Sequence, residues 1–150
     1  MNTQQIEQLI HREDLHLASI TKRATAFFLD EFLLSLLLVI SLWDAFGTVS
    51  NTLELVELSQ RFTSEYIFLK ILYQTLFIYM YGATLGKMIM RIRVIELPDL
   101  QKPSFFTSLN RAIVRIFSET FFYLGFVWGM MSPLKRTWHD LTAKTLVIES

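Results

Sequence analysis

The stretch Ala24-Thr-Ala-Phe-Phe-Leu-Asp30-Glu31-Phe-Leu-Leu-Ser-Leu-Leu-Leu-Val-Ile-Ser-Leu-Trp43 decides the reading of the fold. Its only ionisable groups are Asp30 and Glu31, with Asp44 just beyond. A helix that crosses the hydrocarbon core of a bilayer needs about 20 mostly apolar residues. Two further stretches are of comparable length: Tyr66–Gly86, with the single charge Lys70, and Ile116–Leu134, with the single charge Glu119. Helices of soluble domains average only about 11–12 residues. The longest uncharged run of the first stretch, Phe32–Trp43, is short enough to suit a buried core helix as well. Three coincident stretches in 150 residues favour lipid over a soluble core.

Composition agrees. Hydrophobic residues make up 52% of the chain, with 13 Phe and only three Pro. A disordered chain needs low hydrophobicity and high net charge, so disorder is excluded. Fourteen Lys and Arg balance 14 Asp and Glu, leaving no global basic field to hold nucleic acid. With no Cys, disulfide frameworks and thiolate metal sites are excluded too. The segment ahead of the first span carries Glu7, Glu13 and Asp14, and no small-residue cleavage site follows the apolar run, which fits a secretory signal poorly. Ile6, Leu9, Ile10, Leu17 and Ile20 recur at mostly helical spacing, so residues 1–19 read as an amphipathic or partly ordered leader ahead of a membrane domain over 20–149.

Basic residues set the orientation. Arg12, Lys22 and Arg23 precede the first span, and Lys87, Arg91, Arg93 and Lys102 follow the second. Between them lies an acidic loop with Asp44, Glu54, Glu57 and Glu65 against Arg61. Basic loops stay cytoplasmic, so the N-terminus is expected inside and the 44–65 loop outside. The tail, with Lys135, Arg136 and Lys144, conflicts with three full crossings. Residues 91–96 (Arg-Ile-Arg-Val-Ile-Glu) and 145–149 (Thr-Leu-Val-Ile-Glu) both read as short strands. If they pair, they share one side, because an open strand edge cannot lie in lipid. A third unit over 111–134, bent or re-entrant near Gly125 and Gly129, returns the tail; a straight crossing is the alternative. The expected class is an all-α membrane protein with spans near 24–43 and 66–86, this third helical unit, and a small cytoplasmic β pair (about 91–96 with 145–149).

Ionisable groups inside apolar spans are costly and mark functional sites by default. Arg23 and Asp30 lie two turns apart on nearly one helical face, too far to pair directly, so each needs a partner elsewhere. Lys70 and Gln74 share a face, and Arg111, Arg115 and Glu119 form a stripe every four residues. The candidate site for an ion, a ligand or a buried polar network is therefore Arg23, Asp30, Arg111, Arg115, Glu119 and Asp140. Gly82-Ala-Thr-Leu-Gly86-Lys87 fails as a phosphate loop, having three residues between its glycines and Met88 after Lys87, so no nucleotide is expected. Gly82-xxx-Gly86 and Gly125-xxx-Gly129 suit close helix approach instead. His11, His16 and His139 make no convincing metal set and read as surface histidines. Trp138 beside Lys135 and Arg136 suits a membrane–water interface, with Asp140 at its mouth accepting from a neighbouring Arg. No grouping of catalytic type occurs, so neither an enzyme nor a cofactor is expected.

Arg23-Ala-x-Ala-x-x-x-Asp30 resembles the opening motif of the RDD family of prokaryotic membrane proteins, named for one Arg and two Asp. Gly82-x-Thr84-x-Gly86-Lys87 and the Arg-Ile-Arg-Val that follows resemble the family's Gly-x-Thr-x-Gly-Lys stretch. Arg111, Arg115 and Trp138-His139-Asp140-Leu-x-Ala143-x-Thr145 resemble its C-terminal block, with Asp140 as the second Asp. Lys144 departs from the pattern, standing where a Gly is common. The resemblance implies a module of the bacterial cytoplasmic membrane, with transport of an undefined ligand proposed at family level. Two functions stay open from the residues: transport of a cation or other small ligand as a homo-oligomer or with another membrane protein, and a structural module whose Arg/Asp network only holds helices together.

Overall fold

The computed structural model describes residues 1–121 and 123–150. Helix α1 (Thr3–Arg12) is closed at its start by a reciprocal Asn2–Gln5 capping box. Helix α2 (Ile20–Ser41), capped by Ser19, runs away from it and ends near α3 (Trp43–Gly47) and α4 (Thr52–Arg61). Helix α5 (Thr63–Tyr81) returns and stops at Gly82, whose φ of +72° terminates it; the short α6 (Leu85–Ile89) leads into strand β1 (Ile92–Glu96). Helix α7 (Phe105–Thr120) packs along α5 and is followed by α8 (Leu124–Met131), α9 (Trp138–Thr142) and strand β2 (Thr145–Glu149).

The strands pair antiparallel, with Ile92 opposite Glu149 and Glu96 opposite Thr145, as their composition predicts. The leader adds to the same sheet: Leu17 bridges Ile148, and the Ala18 N–H donates to the Val147 carbonyl at 3.0 Å. Alternation along the strands gives the sheet two apolar faces. Ile95, Leu146 and Ile148 pack with Ile6 of α1, while Ile92, Val94 and Val147 pack with Ala26 and Ile78 of α2 and α5. The leader is thus a defined helix seated on the protein.

Two expectations change in detail. Among the described residues only α2 is by itself both long and apolar enough to cross a membrane. The 66–86 stretch is not one helix: Gly82 breaks it, and α5 carries Glu65, Lys70 and Gln74. Within 111–134, α7 and α8 meet at 102°, a bent pair that together is long and apolar enough for one span. The bend falls just ahead of Gly125, where Tyr123 takes a left-handed φ of 60°. Gly125 and Gly129 serve a different purpose. A Cβ on Gly125 would sit 2.3 Å from Ser118 Oγ, and one on Gly129 would sit 2.8 Å from Thr137 Cγ2, so both let α8 lie against its neighbours.

Burial is inverted relative to a soluble bundle. The inner stripe of α2 is Arg23, Ala26, Asp30 and Leu34, at helical spacing, while Phe28, Phe32, Leu36, Leu37 and Ile40 are exposed. Helix α7 likewise buries Ser108, Arg111, Arg115 and Ser118 and exposes Ile113 and Phe117.

Candidate functional site

The inward polar stripes of α2, α5 and α7 meet those of α6 and α9 in three adjoining clusters. The first is built on Asp140, which is fully buried. Thr137-Trp-His-Asp140 is a capping box opening α9: the Thr137 N–H donates to Asp140 Oδ2 at 3.1 Å and its hydroxyl to the same oxygen at 2.8 Å. Arg23 of α2 pairs with Asp140 Oδ2 and also donates to the Lys135 carbonyl. Arg111 of α7 pairs with Oδ1 at 2.6 Å and donates to the Thr145 hydroxyl. One carboxylate thus ties two guanidinium groups from different helices to the start of α9 and of β2. Burial pushes the Asp140 carboxyl up, but Arg23 and Arg111 outweigh it and hold the group well below the usual carboxylate range. Burial, with Arg111, Arg23 and Arg115 nearby, pushes His139 well below its ordinary value. His139 is 4% exposed, so the expectation of a surface histidine is corrected: the capping turn aims its ring into the protein.

The second cluster is built on Asp30. Its Oδ1 accepts from the Tyr73 hydroxyl at 2.7 Å and the Gly86 N–H at 2.8 Å, and its Oδ2 from the Thr84 hydroxyl at 2.6 Å. The Leu85 N–H in turn donates to Tyr73 Oη at 3.0 Å. Gly86 is required here, because a Cβ would sit 2.2 Å from the Ala26 carbonyl oxygen. Gly82 serves by its positive φ, so the two glycines of one motif act by different physics. Asp30 has no ion pair among the described residues, unlike every other buried carboxylate of the site.

The third cluster is a four-membered charge square. Lys70 of α5 binds Glu31 Oε1 at 2.6 Å and also Glu119, and Arg115 Nε donates to Glu119 Oε1 at 3.0 Å. The Arg115 guanidinium lies 4.8 Å from the centre of the Phe27 ring, and the Tyr66 hydroxyl donates to Glu31 Oε2 at 3.0 Å.

All six expected site residues therefore enter one interior. Arg23, Arg111 and Asp140 join directly, Arg115 and Glu119 join directly, and Asp30 stands in its own cluster. Of the motif residues, Thr84 and Gly86 hold Asp30, Thr145 holds Arg111, and Trp138 is half-buried against Gly125. Lys87 is 9% exposed and makes no ion pair or hydrogen bond among the described residues. Four partners stand outside the six expected site residues: Glu31, Lys70, Tyr73 and Thr137. Thr137-x-x-Asp140 carried a readable capping signal, and Lys70, alone in an apolar stretch, demanded an acid.

Lys87 and Asp30 border one small cavity of about 20 Å³, lined also by Arg23, Phe27, Arg115, Phe126 and His139. No curated protein and no solved structure matches the chain. The family model described as the RDD family matches residues 17–144, from the strand-adding end of the leader to the residue before β2. With Arg23, Asp30 and Asp140 gathered in one interior and a family match over most of its length, the chain belongs to the RDD family.

Proposed function

We propose that this is a multi-pass protein of the bacterial cytoplasmic membrane that moves a small cation or proton, with Asp30 as the binding carboxylate and the sheet end in the cytoplasm. The observation that carries the membrane reading is the inverted burial: charges turned inward on α2, α5 and α7, and large apolar side chains turned outward. In water that arrangement would leave a large apolar surface unmatched, whereas lipid satisfies it. On this reading α2 and α5 cross, and the bent α7–α8 pair re-enters from the sheet side.

Asp30 is favoured as the exchangeable group because neutral donors alone hold it. Asp140, Glu31 and Glu119 each face fixed cations and are already neutralised. The interior cavity admits a guest no larger than a water, so a route across the membrane requires further copies of the chain or another membrane protein. Asp30→Asn keeps the size and an acceptor oxygen while removing the charge. Reconstituted in proteoliposomes, the variant is expected to insert and fold yet lose cation-coupled flux, tested across a panel of monovalent cations. Unchanged flux in the folded variant would sink the transport reading.

A second reading, a scaffold with no ligand, is favoured by the Asp140 cluster, which is closed on every side. It predicts that Asp30→Asn lowers stability only and that wild-type vesicles carry no flux above empty liposomes.

A further inference from the structure

The interior gathers five side chains of cationic type, Arg23, Lys70, Lys87, Arg111 and Arg115, against four carboxyls, Asp30, Glu31, Glu119 and Asp140. Ion pairs absorb four of the first and three of the second. Lys87 and Asp30 are left over, and both border the 20 Å³ cavity. Two further residues of its lining carry a buried atom without a hydrogen bond: Arg115 at Nη2, 3.7 Å from Glu31, and His139 at Nδ1. Arg115 and His139 are 5% and 4% exposed, so bulk water does not serve them.

The chemistry of His139 Nδ1 follows from its other nitrogen. Nε2 lies 2.9 Å from Thr137 Oγ1, and that hydroxyl is 2.8 Å from Asp140 Oδ2. The hydroxyl has one proton, and a carboxylate oxygen at that distance takes it, since two facing lone pairs would repel. Thr137 Oγ1 therefore accepts, and Nε2 carries the ring proton. Burial and three nearby guanidinium groups keep the ring neutral. Nδ1 is then a bare acceptor.

The guest that fits must accept from Lys87 and Arg115 and donate to Nδ1. A metal cation cannot accept a hydrogen bond from Arg115 Nη2, and a halide has no proton to give to Nδ1. Water does both, and a cavity of about 10–15 Å³ suffices to hold one. We propose that one water molecule is bound here as a fixed part of the fold, held by Lys87, Arg115 and His139 Nδ1. It joins the charge square, through Arg115, to the Asp140 cluster, through His139 and Thr137. The inference goes beyond the transport reading and stands whether or not an ion crosses.

Solid-state NMR of the full chain in bilayers, with 15N-labelled histidine, tests it. The His139 signals are assigned by their loss in His139→Gln. The expected result is an unprotonated Nδ1 that receives polarisation from water protons, and loss of most of that transfer in Lys87→Met with the tautomer unchanged. Three results would overturn the proposal: a protonated Nδ1, an Nδ1 with no water contact in the wild type, or an Nδ1 shift that follows replacement of chloride by bromide, which would mark an anion instead. The wild-type spectra decide alone if Lys87→Met does not fold, and no outcome depends on flux.

Discussion

Asp140 and Asp30 are both nearly inaccessible, yet their neighbours give them opposite characters. Asp140 neutralises two guanidinium groups, so removing its charge leaves both buried without a counter-ion. Breaking a buried pair in this way costs about 3–5 kcal/mol. Asp140→Asn is accordingly expected to lower thermal unfolding in detergent micelles by that amount, well beyond the effect of Asp30→Asn, whose partners are neutral. A pH dependence follows from His139. Its folded value is depressed, so the unfolded chain takes up a proton first as pH falls below about 6.5, and stability declines from there downward while being fully present above it. The expected loss is on the order of 1 kcal/mol by one pH unit below that point. Comparing His139→Gln with the wild type across pH 5–8 isolates it: the variant's melting curve should be flatter over that range. The charged candidates were legible in the sequence because an ion in an apolar run must find a partner. Which partner it finds was not, since Arg23 and Asp140 stand 117 residues apart and only the fold brings them together.

At the scale of the elements, the strand pair was readable because two short β-branched runs stand at either end of the α7–α9 segment. The breaks were less so. Gly82 ends α5 through its backbone conformation, and Tyr123 turns the chain between α7 and α8 with a φ that its residue type does not announce. Lys144 is a sharper case. It occupies the turn into β2 at φ 51°, a conformation costly for any residue with a Cβ, and it stands where the family pattern commonly has Gly. Lys144→Gly is therefore expected to raise stability by about 1 kcal/mol, read as a higher melting temperature in detergent.

For the whole molecule, the composition announced an apolar exterior, but the path of the chain came from the pairing of its ends. With β2 hydrogen-bonded to β1 and to the leader, the N-terminal segment and the C-terminus share one side of any membrane the protein occupies. The sequence contains no Cys, so a single Ser150→Cys change gives a unique label. An impermeant maleimide applied to intact spheroplasts is expected to leave it unmodified and to react after lysis; labelling of intact cells would refute the cytoplasmic placement of the sheet end.

Ribosomes deliver Arg23 long before Asp140. At roughly 5–20 residues per second, the guanidinium waits on the order of ten seconds for its counter-ion to be synthesised. Until then α2 holds an unmatched charge near its N-terminal end. The C-terminal block therefore acts as a latch: a nascent chain truncated before residue 140 leaves the first helix unlocked and open to capture by quality-control proteases.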